Sequence, residues 1–155
     1  MARLEQIAMR LEVKEGKNGC VLINDSYNSD LAPLDIALDF MSRRSDDKGK
    51  KRTLILSDML ETGQSSKLLY RQVAELVHSR GVEKIIGVGE EIRTAAARFE
   101  IEKYFFRTTE ELLESDLLAG LRNEVILVKG SRAFHFDRIS DRLELKVHET
   151  IWRSI

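Results

Sequence analysis

Four short polar segments hold most of the residues in this sequence that can do chemistry. They are Asn24-Asp25-Ser26-Tyr27-Asn28-Ser29-Asp30, Ser57-Asp58-Met59-Leu60-Glu61 with Thr62-Gly63, Gly87-Val88-Gly89-Glu90, and Lys129-Gly130-Ser131-Arg132. The first offers a carboxylate and amides, a set able to position a nucleotide or a metal-bound water. The last puts two cations and a hydroxyl beside a glycine. If it opens a helix, its free amides and the helix dipole make an anion-sized space for a phosphate or a carboxylate. Each segment also has a plainer use. Ser29, Asp30 or Asp58 suits a helix N-cap, and Lys129 and Arg132 can simply be solvated around a Gly-Ser helix start.

Other polar residues carry less. Gly87-x-Gly89 lacks the third glycine of a dinucleotide fingerprint and reads as turn geometry. His78 is expected solvated on a helix beside Arg80, and His135 one position inside the last helix, near the anion segment. Cys20 reads as a small buried apolar group.

The elements that must position these segments alternate strand and helix. Met9, Leu11 and Val13 alternate with Arg10, Glu12 and Lys14, as on a half-buried edge strand, and the turn-rich EGKNG follows. Cys20-Val21-Leu22-Ile23, Thr53-Leu54-Ile55-Leu56, KIIGV, KYFFR and VILV read as strands, the last one central. Between them, Leu34, Ala37, Leu38 and Met41, then Leu69, Val73, Leu76 and Val77, then Ile92, Ala96 and Phe99 fall at helical spacing. Thr108 and Glu111 form a capping box for the helix holding Leu112, and Phe136, Ile139 and Leu143 mark a last helix. The expected fold class is α/β, a Rossmann-like three-layer sandwich whose mostly parallel sheet has about six strands and an antiparallel edge strand. Residues 1–19 read as a lead-in with the edge strand, 20–142 as the Rossmann-like domain, and 143–155 as a linker or the start of a following domain. In such sheets ligands lie beyond the carboxyl ends of the strands. All four polar segments fall there.

Composition narrows the function classes. The 155 residues are 43% hydrophobic and 33% charged, with 25 Lys+Arg against 26 Asp+Glu, a net charge of −1. Nucleic-acid binding by bulk charge is not expected from that balance. The one cysteine rules out an internal disulfide framework and a cysteine-based zinc cluster. No apolar run approaches the roughly 20 residues of a membrane span, and the N-terminus lacks a secretory apolar stretch, so a cytoplasmic location is expected. There is no GxxxxGK[ST] loop, because Leu11 and Arg44 stand where Gly16-Lys17 and Gly49-Lys50 would need an upstream glycine. Any ATP chemistry therefore needs a second domain.

Taken together, RLEVKEG, INDSYNSD, LSDMLETG and ILVKGSRAFHFD resemble the C-terminal domain of the Mur ligases, in consistent order from Met9 to Leu145. Within that family the blocks look like the branch that joins D-alanyl-D-alanine to UDP-N-acetylmuramoyl-tripeptide. The resemblance implies an N-terminal UDP-sugar-binding domain and a central ATPase domain in cis. It also implies ATP and Mg2+ bound mainly by that central domain, an acyl-phosphate intermediate, and a fragment that is inactive alone. Carried over by residue, Asp25 and Asn28 would face the ATP side. Lys129, Ser131 and Arg132 would face the incoming dipeptide, with Asp58 and Glu61 bordering the same cleft. Asn28 stands where many relatives have a histidine, and Ser29-Asp30-Leu31 where they commonly read Ala-Asn-Pro. LELKVHETIW looks like the junction to a fused alanine racemase, which would bring pyridoxal phosphate.

Two readings from other classes stand beside this one. Asp25, Asp58 and Lys129 mimic the trio of a receiver-like phosphoacceptor domain, although Asn24 leaves the first acid undoubled and the second acid follows strand two. A non-catalytic α/β binding module would need the segments only as caps.

Overall fold

The computed structural model describes residues 11–25, 31–44, 49–59 and 65–145. Its strands are β1 (Glu12–Glu15), β2 (Val21–Asp25), β3 (Lys51–Ser57), β4 (Lys84–Val88), β5 (Glu102–Phe106) and β6 (Glu124–Lys129). The helices are α1 (Leu31–Arg44), α2 (Ser66–Ser79), α3 (Glu90–Thr94), α4 (Thr109–Glu114) and α5 (Asp137–Leu143), with short 3-10 turns between some of them. The strands form a six-stranded sheet in the order β1-β2-β6-β3-β4-β5. Among these six strands only the β1–β2 pairing is antiparallel. The Rossmann-like α/β expectation, with its antiparallel edge strand, holds.

The interior strands are apolar because helices cover both sheet faces. Alternation along each strand sends successive side chains to opposite faces. Ile23, Leu54, Leu56, Ile85, Val125 and Leu127 pack beneath Leu34, Leu38, Met41, Leu69, Tyr70 and Val73 of α1 and α2. Leu22, Ile55, Ile86, Ile126 and Val128 pack on the other face against Leu112 of α4, Phe136, and Ile139 and Leu143 of α5. Removing any of these fully buried aliphatic side chains gives up about 1.5–3 kcal/mol of transfer free energy.

Local signals placed several ends correctly. EGKNG makes the β1–β2 connection, where the Gly16 amide donates to the Cys20 carbonyl at 2.9 Å. Cys20 itself is buried, which pushes its thiol up. The Thr108 hydroxyl accepts from the Glu111 amide at 3.1 Å, and the Glu111 carboxylate reaches back to the Arg107 amide at 2.8 Å. The helix expected over Ile92, Ala96 and Phe99 is shorter than its spacing suggests. It ends at Thr94 and continues as a 3-10 turn over Ala96–Arg98, with Ile92 and Phe99 still fully buried.

β6 reads as an uncharged centre, and its two ends extend into charge. Both end residues are buried and paired: Glu124 with Lys84 at 3.0 Å, and Lys129 with Asp25 at 2.9 Å. The Thr53 hydroxyl also donates to Glu124.

Candidate functional site at the carboxyl edge of the sheet

β6 returns between β2 and β3, so the chain reverses its direction of travel across the sheet at that point. A crevice opens at such a reversal, beyond the carboxyl ends of the strands. Parallel register sets Asp25 beside Lys129, Lys129 beside Leu56, and Ser57 beside Val88. The ends of β2, β6, β3 and β4 thereby bring the described parts of the polar segments, Asn24-Asp25, Ser57-Asp58-Met59, Gly87 to Glu90 and Lys129 to Arg132, to one edge.

Asp25 and Lys129 meet on the face covered by α1. The Lys129 ammonium donates to Asp25 Oδ2 at 2.9 Å, and the two side chains are 0% and 5% exposed. Both groups were expected at a cleft surface, with Lys129 as one of two cations for an anion. Their cross-strand register instead turns them toward each other inside the protein. Lys129 has its charge matched internally. Arg132 is the cation of this segment that is exposed to solvent.

The turn after β6 also differs from expectation. Residues 129–132 lead into a three-residue 3-10 turn, Arg132–Phe134, and α5 starts only at Asp137. No long helix dipole points at the segment. The Phe136 ring occupies the space beside Gly130, where a Cβ would lie 2.5 Å from it. His135 is exposed and left-handed (φ 54°, ψ 50°) ahead of α5, not inside it. Ser131 Oγ is inaccessible and has no hydrogen-bond partner among the described residues.

Asp58 acts as a cap, but for a helix far along the chain. Its Oδ1 accepts from the Ile92 amide at 2.8 Å and its Oδ2 from the Glu91 amide at 3.3 Å, at the start of α3. Its own amide donates to the Val88 carbonyl at 3.0 Å. Burial pushes the Asp58 carboxyl above its usual range, with the two amides pulling the other way. The carboxylate packs against Gly89, whose φ of 133° favours glycine and whose Cβ position lies 2.3 Å from Asp58 atoms. Gly87-x-Gly89 is therefore a close-approach and turn device. Next to Asp58, the Met59 amide donates to the buried Tyr70 hydroxyl at 3.0 Å.

Ser57 was not among the expected site residues. Its hydroxyl accepts from the Ser131 amide at 3.0 Å and donates to the Asp58 carbonyl at 2.9 Å. The one hint in the sequence is a hydroxyl ending an otherwise apolar TLIL run. Asn28 and Glu61 lie outside the described residues, as do Ser29 and Asp30. His78 is exposed and accepts from the Glu100 amide at 3.1 Å.

The described residues include no cluster of three acidic, histidine or cysteine side chains fit to hold a metal ion. Asp25 is committed to Lys129 and Asp58 to backbone amides. A receiver-like phosphoacceptor role is not favoured, because both oxygens of Asp58 already receive amides.

The strand reversal at β6, with Asp25, Lys129, Ser131 and Asp58 at the carboxyl ends of the strands around it, belongs to an open, mostly parallel α/β sheet, and comparison places the domain in a family. Residues 9–132 match the model described as Mur ligase, glutamate ligase domain; the chain belongs to this Mur ligase C-terminal domain family. UDP-N-acetylmuramoyl-tripeptide--D-alanyl-D-alanine ligase from Escherichia coli is 24% identical over 145 residues, which span 93% of this chain and 31% of that protein. The enzyme of the same name from Rickettsia prowazekii is 31% identical over 77% of this chain and 26% of its own length. A crystal structure of MurF from Acinetobacter baumannii superposes with a TM-score of 0.63 at 19% identity, covering 86% of this chain and 30% of that one. That structural likeness shows the shared fold. The chain thus spans about a third of the length of the curated relatives it matches.

Proposed function

We propose that this chain is the substrate-closing C-terminal domain of an ATP-dependent ligase that joins D-alanyl-D-alanine to UDP-N-acetylmuramoyl-tripeptide in the cytoplasm. The observation that carries the reading is the match of 93% of the chain to one end-to-end stretch of an enzyme of that name. The remaining two thirds of such an enzyme would supply the UDP-sugar site and the phosphate loop that this sequence lacks. No helix among the described residues is long and apolar enough to cross a membrane.

In this reading the chain contributes position and charge complementarity, while bond activation belongs to the upstream domains. ATP and Mg2+ would supply the acyl phosphate there; the described residues have no donor set for the ion. Arg132 would meet the dipeptide carboxylate, beside the buried and unpartnered Ser131 hydroxyl. Asp25 would lead into the 26–30 segment on the ATP side. Its pairing to Lys129 would fix where that segment leaves the sheet. The relatives found are ligases, and they lend no support to a following racemase or to pyridoxal phosphate.

The test joins the chain to the upstream domains of a ligase of this class. The chain alone should hydrolyse no ATP. The joined protein should release phosphate only when tripeptide precursor and dipeptide are both present. Phosphate release by the chain alone, or release that ignores the dipeptide, would overturn the proposal.

A further inference from the structure

One buried hydroxyl connects two of the carboxyl-edge segments. Ser57 has no solvent exposure, and its Oγ lies between the Ser131 amide (3.0 Å) and the Asp58 carbonyl (2.9 Å). It accepts from the first and donates to the second. The backbone of 130–132 is thereby tied by a hydrogen bond to the end of β3. On its other side the segment is held by the Phe136 ring against Gly130. Asp58 in turn fixes the start of α3 through the Ile92 and Glu91 amides. Position therefore passes from the 129–132 segment through one hydroxyl to β3, and on to β4 and α3.

We infer that Ser57 is a positioning residue for dipeptide capture. By taking up the Ser131 amide it sets the backbone from which the exposed Arg132 projects. This inference rests on the ligase reading above. An alanine at 57, a position with no solvent exposure of its own, would leave a donor at Ser131 and an acceptor at Asp58 unpaired. The segment would then relax toward solvent to hydrate its amide. Threonine keeps both hydrogen bonds. Cysteine keeps the size with a weaker acceptor.

The experiment uses the chain joined to the upstream ligase domains, with Ser57→Ala, Ser57→Thr and Ser57→Cys. Ser57→Ala should raise KM for D-alanyl-D-alanine about fivefold, the worth of one net hydrogen bond, with kcat and KM for ATP within about twofold of wild type. Ser57→Thr should restore the wild-type KM, and Ser57→Cys should fall between. The Ser131 amide should also exchange with deuterium about tenfold faster in Ser57→Ala, while amides of β4 keep their protection. In an active joined enzyme, an unchanged dipeptide KM or an unchanged Ser131 exchange rate overturns the inference alone. Equal losses in kcat and both KM values, unrelieved by threonine, would make Ser57 merely structural and also overturn it. If wild type makes no peptide bond, the ligase reading falls and takes this inference with it. Should the alanine variant fail to fold, the threonine and cysteine variants decide between the same outcomes.

Discussion

Lys129 and Asp25 stand opposite each other on adjacent parallel strands, their charged atoms 2.9 Å apart and both side chains buried. A charge at that depth persists only with a partner, since desolvating an isolated ion costs several kcal/mol. The pair therefore locks the ends of β2 and β6 together where the 26–30 segment departs. This couples the end of β2 to the 129–132 segment.

Lys129→Met should destabilise the chain by about 3–5 kcal/mol, because it strands the Asp25 carboxylate. Lys129→Met combined with Asp25→Leu should recover most of that loss. Urea unfolding of wild type, single and double variants gives the answer directly. A loss below about 1 kcal/mol in the single variant would show that the pair is not shielded as described.

The pair at the opposite end of β6 provides a control. Lys84 donates to Glu124 at 3.0 Å, also in a buried setting, at the amino edge of the sheet. Lys84→Met should cost a similar amount, about 3–5 kcal/mol, yet leave both substrate KM values of a joined ligase unchanged below its melting temperature. Altered dipeptide affinity in this variant would mean that stability alone, not edge geometry, governs binding.

How much of this was legible before folding can be judged at particular residues. The strands and most helices follow from apolar periodicity, and local caps such as Thr108–Glu111 are visible because both partners lie within one turn. The buried pairs are not. Asp25 and Lys129 are 104 residues apart, and nothing in either neighbourhood announces the other. The same holds for Asp58, whose capped amides at Glu91 and Ile92 lie 33 and 34 residues further along the chain. Family resemblance named residues at the carboxyl edge, but it could not tell a cleft-facing lysine from one folded inward. The helix expected after Lys129 failed for a local reason: Phe136 packs on Gly130 and His135 turns left-handed, which delays α5 to Asp137.

Asp58 should reveal itself through pH. Burial holds its carboxyl above the 3.8 of a free aspartate, so the folded chain keeps the proton to higher pH than the unfolded chain. The stability linked to this group is complete below the unfolded value and is lost as pH rises through the folded one. An asparagine at 58 does not titrate. The stability advantage of wild type over Asp58→Asn should therefore shrink as pH rises upward from the ordinary aspartate range. Paired urea titrations across that range would show it, and a constant difference would contradict the assignment.

Gly89→Ala should destabilise the chain by about 1–3 kcal/mol and loosen α3. An L side chain is strained at φ 133°, and its Cβ would press on the Asp58 carboxylate. Faster amide exchange at Glu91 and Ile92, with β6 still protected, is the expected signature. Uniform loss of protection across the sheet would argue that Gly89 holds more than this cap.

The most direct measurement of the central claim is the dipeptide KM of a joined ligase carrying Arg132→Ala. If the carboxyl edge of this domain grips the incoming substrate, KM for D-alanyl-D-alanine should rise about tenfold, as expected for losing a charge-assisted contact, while KM for ATP stays put. An unchanged dipeptide KM, or an ATP KM that moves instead, would contradict it.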